Sequence, residues 1–227
     1  MRVSNLFRAV TAAGLLSLGP MTAFADVIGA NGCVGGLCAS TLDVFNNLPG
    51  SLLNSTFVRF TAFDAQNVPL YGGGLRTAVY RNDGNTLDFY HQLSNGGSSV
   101  NSVGRLTMTN FAGFTTDVGY RMDNWDGAGQ FVEGAQAALS ADRSASGGTI
   151  GFGFGSGLNQ INPGEVSATL VIRTNASTYT AGSVTTQNGA VYTTETFSPA
   201  ESGVPEPGAY GLIGAGLIAL AAMRRRK

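Results

Sequence analysis

The strongest constraint on how this chain folds is a period of two. In TLDFYHQL, Leu87, Phe89, His91 and Leu93 alternate with Asp88, Tyr90 and Gln92; in TIGFGFG, Ile150, Phe152 and Phe154 alternate with Thr149, Gly151, Gly153 and Gly155. EVSATLVIRT repeats the pattern, with Val166, Ala168, Leu170 and Ile172 on one side. Successive side chains of a strand point to opposite faces, so such runs predict half-buried β-strands. Further strands are predicted over 57–64, 75–81, 103–110, 116–122 and 190–197. Asn82-Asp83-Gly84-Asn85 separates two of these runs and predicts a hairpin, because Asn, Asp and Gly tolerate positive φ. Asn95-Gly96-Gly97 and Asn162-Pro163-Gly164 punctuate others. Only FVEGAQAAL, residues 131–139, has helical spacing, and Gly134 weakens it. Many short strands with little helix predict an all-β fold: an antiparallel β-sandwich, Ig-like or jelly-roll-like.

The body, residues 26–203, is long enough for one domain with its own core. It holds seven arginines and no lysine against thirteen acidic residues, so the net charge of −1 for the whole chain conceals a surplus of six negative charges in the body. A clustered Lys/Arg footprint is missing, which excludes a nucleic-acid partner. Low charge with abundant Gly, Ser, Thr and Asn suits an extracellular β-protein. The two cysteines lie in GCVGGLC, and for an exported chain they predict a Cys33–Cys38 disulfide closing a small loop. One histidine and this pair supply too few ligands for a metal site.

Both ends read as addresses. Arg2 and Arg8 precede the apolar run AVTAAGLLSLG, and Ala23-Phe24-Ala25 is a small-x-small site before Asp26. This pattern predicts a secretory signal peptide over 1–25, cleaved between Ala25 and Asp26, and hence the Sec export machinery as a partner. At the other end no charged side chain occurs from Gly208 to Met223. As a helix that stretch is roughly 24 Å long, near the lower limit for crossing a hydrocarbon core. Pro205 and Pro207 cannot lie inside it, although Pro207 suits a first helical position. Arg224, Arg225, Arg226 and Lys227 then form a cytoplasmic anchor under the positive-inside rule, leaving everything before Val204 outside. Gly211, Ala215 and Ala219 form a small-residue stripe; it reads either as a docking face for another helix or as ordinary membrane-helix composition.

Val204-Pro205-Glu206-Pro207, the short Gly/Ala-rich apolar segment and the terminal Arg cluster together resemble the PEP-CTERM sorting signal of exported proteins in Gram-negative bacteria. The resemblance covers the last tenth of the chain. It implies recognition by an exosortase-type processing enzyme in the inner membrane, cleavage near the Pro-Glu-Pro, and delivery to the outer surface or the extracellular matrix. The expected organisation is a signal peptide (1–25), a β-sandwich ectodomain (26–195), a polar linker (196–203) and a sorting signal (204–227) with transmembrane helix 208–223 and basic tail 224–227.

Candidates for chemistry in the body are few. His91 falls among Leu87, Phe89 and Leu93, so it reads as a packed side chain more readily than as a general base, and no G-x-S-x-G nucleophile motif is present. GFGFGSG has no G-x-G-x-x-G register, which removes a nucleotide-binding reading. Asp123, Trp125 and Asp126, in DNWDG, could stack against and hydrogen-bond a sugar, but they lack calcium-loop spacing and read more readily as a turn with one packed Trp. No catalytic residue, metal or cofactor is assigned. The expected function is a non-catalytic structural or adhesive role outside the cell; the alternatives are a module binding exopolysaccharide and an extracellular hydrolase.

Overall fold

The computed structural model of the protein describes residues 26–35, 38, 41–123 and 130–201. The expected signal peptide, the sorting tail with its helix, and Trp125 and Asp126 lie outside the described residues. Among the described residues no helix is long and apolar enough to cross a membrane.

Among the described residues thirteen strands form two sheets: β1 (Asp26–Val27), β2 (Cys33–Gly35), β3 (Asp43–Val44), β4 (Ser51–Phe63), β5 (Pro69–Arg81), β6 (Leu87–Asn95), β7 (Arg105–Thr109), β8 (Thr116–Arg121), β9 (Ser140–Arg143), β10 (Thr149–Gly153), β11 (Thr169–Thr174), β12 (Thr178–Gln187) and β13 (Val191–Ala200). The first sheet runs β1-β8-β11-β6-β5-β4, with β3 pairing in parallel to β8; the second runs β13-β12-β7-β10-β9-β2. All other pairings are antiparallel. The alternation therefore produces the expected two-sheet, all-β architecture, with one parallel pair added. Phe89, Leu93, Leu170 and Ile172 of the first sheet and Leu106, Ile150, Phe152 and Val184 of the second belong to one continuous core.

The Asn82–Asn85 turn joins β5 to β6 as its composition predicts. Asn85 adopts φ 60°, and the Asn82 and Asn85 amides donate to Thr86 O and Asn82 O at 3.0 and 2.9 Å. On β10, Gly151 leaves room for the Arg105 guanidinium, because a Cβ there would lie 1.9 Å from Nη2. Arg105 then meets Asp142 in a two-pronged pair, both contacts 2.7 Å.

The structure departs from the sequence expectations in three places. First, β6 is buried on both faces. Tyr90 joins Tyr80, Ala78 and Val171 in a second small core beneath Phe45 and Phe131, on the face turned away from the other sheet. Second, 131–139 is not helical. It crosses that outer face in extended form, held by Gln92, which donates to Val132 O at 2.6 Å and accepts from Val132 N at 3.1 Å. Gln136 is bonded on both sides, donating to Val166 O and accepting from Ala168 N at 3.2 and 2.7 Å. Third, residues 196–200, expected as linker, are the last half of β13. Thr196 and Ser198 are buried there, and the Ser198 hydroxyl donates to Ala181 O at 3.2 Å.

Gly134 shows why the crossing segment must be extended and closely seated: a Cβ at this position would lie 1.9 Å from Ser167 O. In a helix, Gly134→Ala would add roughly 1 kcal/mol of stability. Here it is expected to remove roughly 2 kcal/mol, through overpacking against backbone. Urea unfolding of the mature domain distinguishes the two by sign.

Candidate functional site

At one open side of the sandwich the two edge strands β4 and β13 approach each other, and a groove of about 560 Å³ runs between them. Edge strands present unpaired backbone groups, which makes such a seam a natural contact region. Its walls are Asn54 and Thr56 of β4, Tyr179 of β12, and Glu195 and Phe197 of β13. Tyr179 and Phe197 meet edge to face, with centroids 5.6 Å apart. Asn54 Nδ2 lies 3.4 Å from the Tyr179 hydroxyl and so links the sheets across the groove. Glu195 is exposed and makes no ion pair among the described residues. Amide, hydroxyl, carboxylate and aromatic groups together can hydrogen-bond and stack against a polar ring.

The residues singled out in the sequence are dispersed. Cys33 and Cys38 are disulfide-bonded as expected, the former on β2 at the edge of the second sheet. Asp123 has both carboxylate oxygens 3.0 Å from Arg121, whose side chain is buried and also donates to Asn47 O. That carboxylate is already engaged, and its partners Trp125 and Asp126 lie outside the described residues. Among the described residues no group of three or more His, Cys, Asp or Glu side chains is placed to hold a metal ion.

His91 is fully buried on the inner face of β6, opposite Thr77 and Leu170, and among the described residues neither ring nitrogen has a hydrogen-bond partner. Burial pushes its pKa down to about 3. It is a neutral core side chain with no access to a substrate, unlike a general base. Asp88, on the other face of β6, is pushed up to about 6 by burial, against the opposing effects of Asn82, which donates to it at 2.8 Å, and Arg173.

The groove escaped sequence reasoning. Asn54 and Tyr179 are 125 residues apart, and β12, with the sequence TYTAGSVTTQ, lacks an apolar alternation. The one available signal was its run of Thr and aromatic residues, which favour strands.

Fold and disulfide define the class: a disulfide-bonded, two-sheet β-sandwich domain. The address comes from the C-terminus, where residues 203–227 match the family model for the PEP-CTERM protein-sorting motif. The chain carries this sorting signal, which directs export and handling by exosortase, a membrane-associated enzyme, toward the cell surface. No curated protein and no solved structure gives a match to the chain.

The two buried titrating groups act in opposite directions. The depressed His91 pKa means that the unfolded chain binds the extra proton first, so stability falls as pH drops below about 6.5 toward 3. The raised Asp88 pKa means that the folded chain binds its proton first, so this contribution is lost as pH rises from about 4 to about 6. Between pH 7 and pH 4 the His91 effect, roughly 3 kcal/mol, outweighs the opposing Asp88 effect, roughly 2 kcal/mol. Denaturant unfolding between pH 7 and pH 4 is therefore expected to show acid destabilisation in the wild type. His91→Leu should abolish or reverse that slope.

Proposed function

We propose that this is an exosortase-sorted protein with a non-catalytic structural or adhesive role at the outer surface or in the extracellular matrix of a Gram-negative bacterium. One observation carries the reading: a self-contained sandwich whose last strand ends at Ala200, directly before a sorting motif that begins at residue 203. The interior placement of the single histidine supports a role without turnover. In this reading the inner membrane holds the chain transiently, through helix 208–223 and the cations Arg224, Arg225, Arg226 and Lys227. Processing near Val204-Pro205-Glu206-Pro207 then releases the domain. Peptide mapping of protein from membrane, surface and medium fractions tests this. Surface or medium protein is expected to begin at Asp26 and to lack the final four cations, whereas their retention in exported protein would defeat the reading.

The β4–β13 groove favours a second reading, binding of an exopolysaccharide, since its walls combine two aromatic rings with amide, hydroxyl and carboxylate groups. In a pull-down with polysaccharide from the producing cells, Tyr179→Ala is expected to weaken retention roughly tenfold, the scale of one lost aromatic contact. Unchanged retention in Tyr179→Ala alongside a loss in Trp125→Ala would move the contact to the DNWDG loop. No retention of the wild type would remove this second reading.

A further inference from the structure

The junction between β13 and the sorting motif fixes how the processing enzyme meets its cargo. The last rung of the second sheet pairs Thr178 with Ala200, and the Thr178 hydroxyl donates to Ala200 O at 2.8 Å. Just before it Pro199 and Ser198 are buried, and Phe197 packs on Tyr179. The strand is therefore held to its end. Only residues 201–203 lie between it and Val204. The five residue-to-residue steps from Ala200 to Pro205, even fully extended, reach at most about 18 Å.

That reach is short beside the domain, and it selects one end of the sandwich. The same end carries the Asn82–Asn85 turn and residues 175–177, tied together because Arg81 donates to Asn85 O, to Asn85 Oδ1 and to Ser177 O. Leu87 N, at the start of β6, donates to Ala176 O at 2.9 Å. The opposite end carries the β12–β13 turn around Gly189, near Leu70 and Asn101.

We infer that exosortase engages the folded protein end-on. The surface formed by the Asn82–Asn85 turn, residues 175–177 and the Thr178–Ala200 rung is pressed against the enzyme and the adjoining membrane surface while residues 204–207 are read. The opposite end, with the β12–β13 turn and the outer part of the β4–β5 hairpin, points away. This goes beyond the proposed role, because it concerns the sorting step and holds whatever the exported domain binds.

The test uses the full-length protein in cells that carry the processing enzyme, with conversion of precursor followed by pulse-chase. Deleting residues 201–203 leaves only Val204 between Ala200 and Pro205, a reach of about 7 Å, and is expected to slow conversion roughly tenfold or more. Replacing residues 201–203 by a longer Gly/Ser segment should keep conversion at the wild-type rate. A small folded insertion in the Asn82–Asn85 turn should slow conversion with the native spacer and not with the long one. The same insertion in the β12–β13 turn should have no effect with either spacer. Protease resistance of each precursor checks that the sandwich is folded. Wild-type conversion of the deletion variant, or equal effects of the two insertions, would overturn the end-on geometry alone. Absence of conversion in the wild type would overturn it together with the sorting reading.

Discussion

The architecture depends on burying the central strand β6 from both sides. A two-sheet sandwich ordinarily covers one face of each sheet and leaves the other to water. Here the outward face of the first sheet carries Tyr80, Tyr90 and Val171, all fully buried, and needs a cover of its own. The cover is the segment after residue 130 together with Phe45. Such a cover brings backbone amides and carbonyls into a dry setting, where unpaired groups are costly. Gln92 answers that constraint by bonding both N–H and C=O of Val132, and Ser167 accepts the remaining amide proton of Gln92 at 3.1 Å. A glutamine on the outer face of a strand is thus the clasp of a third layer.

This layer explains which parts of the fold were legible in the sequence. The inner face of β6, the inward residues of β10 and β11, and the hairpin at Asn82 follow from local pattern, because each is decided within ten residues. The outer face of β6 alternates just as regularly, and its polar members Asp88 and Gln92 imitate a solvent side. Only the tertiary partners Asn82, Arg173 and Val132 reveal them as buried. Residues 131–139 imitate a helix for a related reason: Phe131 and Ala138 face the protein from an extended chain anchored at irregular intervals. Strand β12 and the end of β13 use Ser and Thr where a core strand has aliphatic residues, and the four-residue β9 buries Ala141 and Arg143, so hydrophobic periodicity passes over them. The groove has no local signature, since its walls come from opposite ends of the domain.

Arginine carries much of the long-range polar bonding in a body without lysine. Arg143 is largely buried and donates to the carbonyls of Gly147, Ile28, Phe111 and Phe114, all between 2.8 and 3.0 Å, joining the chain after β1 to two separate turns. Arg121 ties the start of the DNWDG loop to Asn47, and Arg105 fills the space above Gly151. A planar fork of donors suits several fixed acceptors at once, which a single ammonium does not. The charged side chains that sequence inspection would nominate for chemistry are therefore mostly spent on structure. Asp123 is held by Arg121, Asp142 by Arg105, and Asp88 by Asn82 and Arg173.

The expected N-terminal signal and the C-terminal sorting motif together would leave the domain almost no free chain. Asp26, the residue after the expected signal-peptide cleavage point, is already the first of β1 and pairs with Val118, while β13 runs to Ala200 before the sorting motif begins at 203. A cargo trimmed at both boundaries would have no tail long enough to reach a partner. Whatever it contacts outside the cell must then be met by the sandwich itself. Backbone groups there are largely consumed within the sheets and remain available at the outer strands, β4 and β13 on one side and β1 and β2 at the other ends of the two sheets. Strands β4 and β13 also border the groove, so on that side edge backbone groups lie beside the rings of Tyr179 and Phe197.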